Sequence, residues 1–336
     1  MNGSVQSGKI GFIGLGNMGW WMSLNLRKAL PKSTKLFIYD IIPSILDSFA
    51  ENAKIHGLGE VVICKCSREV AINSDVTFSI VPEGKHVREV FFGEKTGILT
   101  GPVDDKTFVD CSTIDPATSR AVAEAIPKNS LSAHFYDAPV SGGTLGAEAG
   151  TLSFLVGTTE IDVYFEQNVK PLLEMMGKNI FCIGAQSLGL VAKLCNNYLS
   201  AICNIATAEA MNIGVRHGID PKLLAEVIKK STGSNWQSNN MNVSSVPIIS
   251  IHAYLLFLQP VPGVCPNAAP SKSYKGGFKV QFMVKDFTLA VDAAKEVDAK
   301  LALGNAGLST YKAAAEDPRC KDLDLSVVYR WLGGKE

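Results

Sequence analysis

The stretch Lys9-Ile-Gly-Phe-Ile-Gly-Leu-Gly-Asn-Met-Gly19 decides how the chain is read. A short apolar run, 9–13, reads as a strand, and Gly14-x-Gly16-x-x-Gly19 follows it into a helix reaching about residue 29. Glycine triplets arise by chance, so the context carries the weight. A second apolar run, 36–39, ends at Asp40, 21 residues after Gly19. In a strand–turn–helix–strand unit the first glycine permits the tight turn, the second lets backbone approach a pyrophosphate, and the third allows close helix–strand packing. The helix N-terminus then faces negative charge with free N–H groups, and Asp40 accepts from ribose hydroxyls. The competing reading is a plain tight turn with a helix-capping aspartate. Asp40 is followed by Ile41 and Ile42 and not by arginine, so a 2′-phosphate would meet a carboxylate without a cation. The expected cofactor is NAD.

Working outward, the same rhythm continues. Further strands are expected at 61–64, 76–81, 107–110, 135–138, 152–156 and 180–182. Helices are expected at 67–73, 84–91, 116–125 and 161–176. Alternation of this kind gives a parallel sheet. Beyond Gly184 the pattern becomes helical: one long helix over 188–217, then 221–230, 280–297, 301–315 and 325–332. The predicted fold is α/β, a Rossmann-type doubly wound sheet over 1–184, followed by an all-helical substrate and dimerisation domain over 185–336.

Composition agrees with a small-molecule enzyme. The 336 residues carry 32 Lys+Arg against 32 Asp+Glu, which argues against a nucleic-acid binder. A mean hydropathy of +0.15 raises the question of a membrane span. The most apolar stretch, 246–258, contains Ser250, His252 and a proline, and falls short of the ~20 residues a crossing needs. Eight scattered cysteines fit a reducing compartment, and Cys64 with Cys66 lacks a second Cys/His pair at zinc spacing, so no metal is expected. Residues 1–8 show neither arginine nor an apolar core of the kind targeting peptides have.

Five motifs in order carry a family resemblance. They are the glycine stretch from Gly11 to Gly19, Asp110-Cys-Ser-Thr-Ile-Asp-Pro116, and Asp137-Ala-Pro-Val-Ser-Gly-Gly143 with Gly150-Thr151. Gly189-Leu-Val-Ala-Lys-Leu-Cys-Asn-Asn197 and Lys285-Asp286 complete the set. Together they resemble the β-hydroxyacid dehydrogenases over nearly the whole chain. Thr207-Ala-Glu-Ala-Met-Asn212 and Gly218-Ile-Asp-Pro-Lys-Leu-Leu224 resemble the branch that oxidises 3-hydroxyisobutyrate to methylmalonate semialdehyde in valine breakdown. The resemblance implies cofactor contacts from Gly14, Leu15, Gly16, Asn17, Met18, Gly19, Asp40, Val81, Pro82, Thr113 and Lys285. His86 stands where relatives often have asparagine, and reads equally as a solvent-facing helix histidine.

On the substrate side, Ser112 lies just beyond a strand end. Ser141, Gly142 and Gly143 offer a hydroxyl and backbone N–H groups to a carboxylate, or form a plain turn. Lys193 is the expected general acid/base, with Asn197 four residues on and on the same helix face. Spacing alone allows a surface lysine beside a core-facing asparagine; the motif turns the reading towards catalysis. For Lys193 to act as base its ammonium must lose a proton more readily than usual, which burial and a neighbouring cationic ring both promote.

The resemblance also implies a mitochondrial matrix location, with a cytoplasmic one left open because residues 1–8 show no transit peptide, and a homodimer or homotetramer, with a small hydroxyacid as partner and neither membrane nor nucleic acid. Two alternatives stay open. One is a glyoxylate, succinic or tartronate semialdehyde reductase of the same superfamily. The other is a non-catalytic binding or assembly member of the fold.

Two departures stand out. Trp20-Trp21 follows Gly19 where relatives carry small residues or proline. Residues 243–259 interrupt a run that relatives continue directly from Ser238-Asn-Asn-Met-Asn242 into Pro260-Val-Pro-Gly263. This segment of 17 residues corresponds to 51 nucleotides, opens on a Val codon beginning GT and closes on a Gln codon compatible with AG. It reads either as a surface insertion or as a short intron retained in frame.

Overall fold

The computed structural model describes residues 8–235, 259–266 and 268–336, and the chain divides into two compact units, 1–193 and 194–336. The division falls within one long helix. The segment 243–259 lies outside the described residues except for Gln259, which is buried.

The first unit is built on six parallel strands: β1 (Ile10–Ile13), β2 (Leu36–Tyr39), β3 (Val61–Ile63), β4 (Val76–Ser79), β5 (Thr107–Asp110) and β6 (His134–Asp137). Their order is β3-β2-β1-β4-β5-β6. The reversal of winding between β1 and β4 makes the crevice in which such sheets bind ligands. Helices α1 (Gly19–Ala29), α2 (Pro43–Ile55), α3 (Ser67–Asn73), α4 (Gly84–Phe92) and α5 (Pro116–Asn129) follow successive strands. Two apolar clusters cover the sheet, one around Phe12, Phe49 and Phe78, the other around Phe91, Phe108 and Val122. Each fully buried Phe contributes roughly 1.5–3 kcal/mol of hydrophobic stabilisation.

The strand-rich tail of this unit departs from the expected single set. A second sheet forms from β7 (Val140–Ser141), β8 (Leu152–Val156) and β9 (Gly177–Cys182), with β7–β8 antiparallel and β8–β9 parallel. Between β7 and β8 lies α6 (Gly143–Ala149). The single helix expected over 161–176 is two short ones, α7 (Val163–Asn168) and α8 (Lys170–Glu174). Pro171 has no N–H to donate, so it is tolerated only in the first turn of a new helix, and the chain restarts at Val169.

The long helix is α9 (Leu188–Arg216), followed by α10 (Pro221–Lys230), α11 (Val280–Glu296), α12 (Gly304–Glu316) and the short α13 (Val328–Trp331). In the second unit Ala201, Phe287, Tyr311 and Val327 share one core. Gly307 lets α12 sit against α11, since a Cβ there would lie 2.6 Å from the Phe287 ring. The buried Tyr311 hydroxyl donates to the Ala201 carbonyl at 2.9 Å and accepts from Asn204 Nδ2 at 3.0 Å. Among the described residues no helix is long and apolar enough to cross a membrane, and no group of three His, Cys, Asp or Glu side chains is placed to hold a metal.

Candidate active site

The glycine loop shows why each glycine stands where it does. Gly14 has φ of +90°, and a Cβ there would lie 2.2 Å from the Ile80 carbonyl oxygen. At Gly19 a Cβ would lie 1.9 Å from the Gly14 carbonyl oxygen, so that glycine closes α1 onto the turn. Gly16 is the opposite case: nothing lies within 4 Å of an added Cβ, so its backbone borders open space. No side chain caps the start of α1, and its first turn holds no acid. Open space, unopposed by negative charge, in front of helix N–H groups fits the pyrophosphate of a dinucleotide.

At the end of β2, Asp40 is pinned from two sides. Leu15 N–H donates to its Oδ2 at 2.7 Å and Ile42 N–H to its Oδ1 at 2.9 Å. The carboxylate is thereby aimed, with lone pairs left for a ribose diol. Ile41 beside it is 80% exposed, and offers no cation to a 2′-phosphate. Trp20 finds cover against Phe49 of α2, ring edge to face at 5.2 Å, and Trp21 packs against the same core. The indoles therefore brace α1 from its α2 side.

The ends of β4 and β5 are laced together. Ser79 Oγ and Ser112 Oγ each donate to Asp110 Oδ1 at 2.7 Å, and Ser112 Oγ in turn accepts from Val81 N–H at 2.9 Å. Asp110 and Ser112 are each 1% exposed. Burial pushes the Asp110 carboxyl up to about 6, against the opposing pull of its serine hydrogen bonds, with the Asp137 charge adding to the rise. Ser112, expected at the substrate, has its hydroxyl committed to this internal network. Its work in the structure is to hold Val81, the residue leading into Pro82. Pro82 is exposed and Thr113 half-buried at the same sheet edge, and His86 lies half-buried in the first turn of α4.

Ser141, Gly142 and Gly143 lead from β7 into α6. Gly142 and Gly143 adopt φ of +133° and +62°, which orients successive N–H groups as no ordinary residue pair would, and nothing crowds an added Cβ at Gly143. Asn25 of α1 donates to the Ala147 carbonyl at 2.6 Å and the Glu148 carbonyl at 3.2 Å, so the cofactor helix supports the end of α6.

Lys193 is 9% exposed and Asn197 7% exposed, both on α9. The sequence reading of the Lys285-Asp286 pair credited only the lysine. In the second unit Asp286, 3% exposed, accepts from Asn197 Nδ2 at 2.6 Å, and its other oxygen pairs with Lys285 Nζ at 3.1 Å. Since a buried carboxylate only accepts, it fixes which face of the Asn197 amide turns inward. The sequence signal for Asp286 is simply its adjacency to Lys285. The first unit thus carries the glycine loop, Asp40, Val81, Ser112 and Thr113 at the C-terminal ends of its parallel strands, the Ser141 loop after β7, and Lys193 on α9. The second brings Asn197 and Lys285 together through Asp286.

Fold and site together define a nicotinamide-dependent dehydrogenase with a Rossmann domain and a helical domain. Residues 9–184 match the family model described as the NAD binding domain of 6-phosphogluconate dehydrogenase. Residues 187–251 and 259–332 match the model described as the NAD-binding of NADP-dependent 3-hydroxyisobutyrate dehydrogenase. Mouse mitochondrial 3-hydroxyisobutyrate dehydrogenase is 38% identical over 97% of this chain and 88% of its own. The NAD-dependent L-serine dehydrogenase of Pseudomonas aeruginosa is 36% identical over 96% of this chain and 97% of its own. A solved structure of Mycobacterium tuberculosis 3-hydroxyisobutyrate dehydrogenase with L-serine superposes with a TM-score of 0.79 at 32% identity, covering 97% of this chain and 99% of that one. The chain belongs to the 3-hydroxyisobutyrate dehydrogenase family and is an NAD-dependent oxidoreductase.

Proposed function

We propose that the protein oxidises 3-hydroxyisobutyrate to methylmalonate semialdehyde as a step of valine breakdown, with Lys193 as general acid/base. The observation that carries the reading is a buried lysine near the start of a helix rooted at the sheet edge where the glycine loop and Asp40 also lie. When bound, NAD+ supplies a hydride acceptor. Gly16, Asn17, Met18 and Gly19 would hold its pyrophosphate through backbone N–H groups, Gly14 and Leu15, whose N–H groups donate to Tyr39 and Asp40, would shape the turn against it, and Asp40 would hold its adenosine ribose. Val81, Pro82, His86, Thr113 and Lys285 complete the proposed contacts.

The chain's own part in the chemistry is positional and protonic. Ser141, Gly142 and Gly143 donate to the substrate carboxylate and set the distance from it to the hydroxymethyl carbon. Lys193 Nζ takes the hydroxyl proton as the carbonyl forms, and returns it to the alkoxide in the reverse direction. Asn197, turned by Asp286, orients the substrate oxygen or Lys193, and Ser112 supports this end of the site through Val81.

L-Serine is the second reading, favoured by the L-serine dehydrogenase relative and by the L-serine in the mycobacterial structure. It presents the same carboxylate and hydroxymethyl group with an ammonium in place of a methyl. A matrix location follows the mitochondrial relative. Subunit packing through α9, whose Leu199 and Ile213 are each 62% exposed, supports a homodimer or homotetramer.

The test is NAD+-linked oxidation of 3-hydroxyisobutyrate, L-serine, glycolate and 4-hydroxybutyrate, with Lys193→Ala as control. The expected order has 3-hydroxyisobutyrate first by kcat/KM, and a loss of at least ~10³-fold in the variant. A larger kcat/KM for serine would overturn the substrate, and full activity in Lys193→Ala would overturn the mechanism.

A further inference from the structure

Asp137 ends β6 and is 1% exposed, yet no step above uses it. Its Oδ1 accepts from Ser187 N–H at 2.7 Å and from Gln186 Nε2 at 2.8 Å, and its Oδ2 from Leu190 N–H at 3.1 Å. Leu188 is the first residue of α9, so a carboxylate from a strand some 50 residues earlier satisfies the donors that a helix start leaves open. Local side chains usually do this work. Ser187 is held at φ of +68°, a left-handed conformation that a residue with a side chain keeps only when its surroundings impose it. Gly189 removes the remaining slack: a Cβ there would lie 2.1 Å from the Leu155 carbonyl oxygen and 2.9 Å from Asp137 Oδ2. The first turn of α9 is thereby clamped to the ends of β6 and β8.

Lys193 follows Leu190 by three residues, a rise of about 4.5 Å along the helix. Asp137 also leads, through Ala138, Pro139 and Val140, into the Ser141 loop. We infer that Asp137 is a positioning residue: it fixes the height and rotation of α9, and so the place of the Lys193 amine relative to the loop proposed to hold the substrate carboxylate. The inference rests on the reading of Lys193 as the base.

Asp137→Asn tests it, because an amide accepts on one side only and turns an NH2 towards a backbone donor on the other. In the full chain, kcat should fall at least ~30-fold while KM for the hydroxyacid and the fluorescence-measured Kd for NAD+ stay within about threefold. In a Lys193→Ala background, read with and without added methylamine, Asp137→Asn should change the rate less than about twofold, because a diffusing amine does not depend on α9.

Equal losses in both backgrounds, or a loss confined to NAD+ affinity, would overturn the inference. Full activity in Lys193→Ala alone would instead sink the reading beneath it. If Asp137→Asn does not fold, Gln186→Ala removes one donor at 2.8 Å, and a kcat loss of about fivefold with unchanged Kd is expected; unchanged kcat there overturns the inference.

Discussion

Asp110 offers a prediction whose sign and size come from its surroundings. Its carboxyl is buried where β4 and β5 end, accepts from Ser79 and Ser112, and is pushed up to about 6 chiefly by loss of water. In the unfolded chain the same group titrates near 3.8. Between those values the folded protein holds a proton that the unfolded chain has released, so the contribution of Asp110 to stability is greatest at low pH and falls as pH rises through about 6. The whole penalty is about 3 kcal/mol, of which about 1.4 kcal/mol develops between pH 5 and 7.5. Asp110→Asn keeps the shape and one acceptor for the two serine hydroxyls but has no charge to bury. The amide NH2 brings its own cost, which does not vary with pH. Urea unfolding of both proteins at pH 5 and 7.5 should therefore show the variant gaining about 1.4 kcal/mol on wild type across that interval, roughly tenfold in the unfolding equilibrium. A difference constant within about 0.3 kcal/mol would mean that Asp110 is ionised in the fold throughout, and would refute the burial argument.

The glycines separate packing from ligand approach. Gly19→Ala drives a Cβ into the Gly14 carbonyl and should cost about 2–4 kcal/mol of stability, whereas Gly16→Ala meets open space. The latter should leave Tm within about 2 °C while weakening NAD+ binding at least ~10-fold, read by thermal melts and NAD+ titration. At the ribose end, Asp40→Ser with Ile41→Arg replaces a pinned carboxylate by a neutral group and a cation. The ratio of kcat/KM for NADP+ over NAD+ should rise at least ~10²-fold in steady-state assays, and an unchanged ratio would remove Asp40 from the proposed ribose site.

What the sequence made legible was what is decided locally. The roles of Gly14, Gly16 and Gly19 follow from φ and from the room a single Cβ would need, and a motif spaced along one turn carries that information. The parallel, doubly wound character of the sheet was legible in the βα alternation, while its strand order, β3-β2-β1-β4-β5-β6, came from the structure. Where the reading fell short, the deciding contact was remote or a residue played two parts. β7 and β8 form an antiparallel pair inside what looked like one series of parallel strands, and Pro171 restarts a helix that apolar spacing alone would run through. Trp20 stood out only as a departure from relatives, and its cover, Phe49 on the next helix, is a contact no local pattern carries.

The same distinction explains why three carboxylates were quoted in motifs and yet given no part. Asp110 works through Ser79, 31 residues away; Asp137 through residues 49 to 53 away; Asp286 through Asn197, 89 away. Each is 3% exposed or less, and burying a charge so completely is unfavourable unless its hydrogen bonds are made. A neutral acceptor would satisfy any one of these donors at lower cost. What a carboxylate adds is acceptor capacity: one oxygen of Asp110 takes both serines, while Asp137 and Asp286 use both of theirs, which fixes a serine pair, a helix start or an amide in one orientation. Precision of placement is what a hydride-transfer site requires, since an error of about 1 Å between base, substrate and cofactor costs ~10²-fold in rate. On that argument the three buried acids would serve the proposed site as positioning residues without touching the reacting atoms, and their neutral isosteres should alter kcat more than they alter ligand affinity.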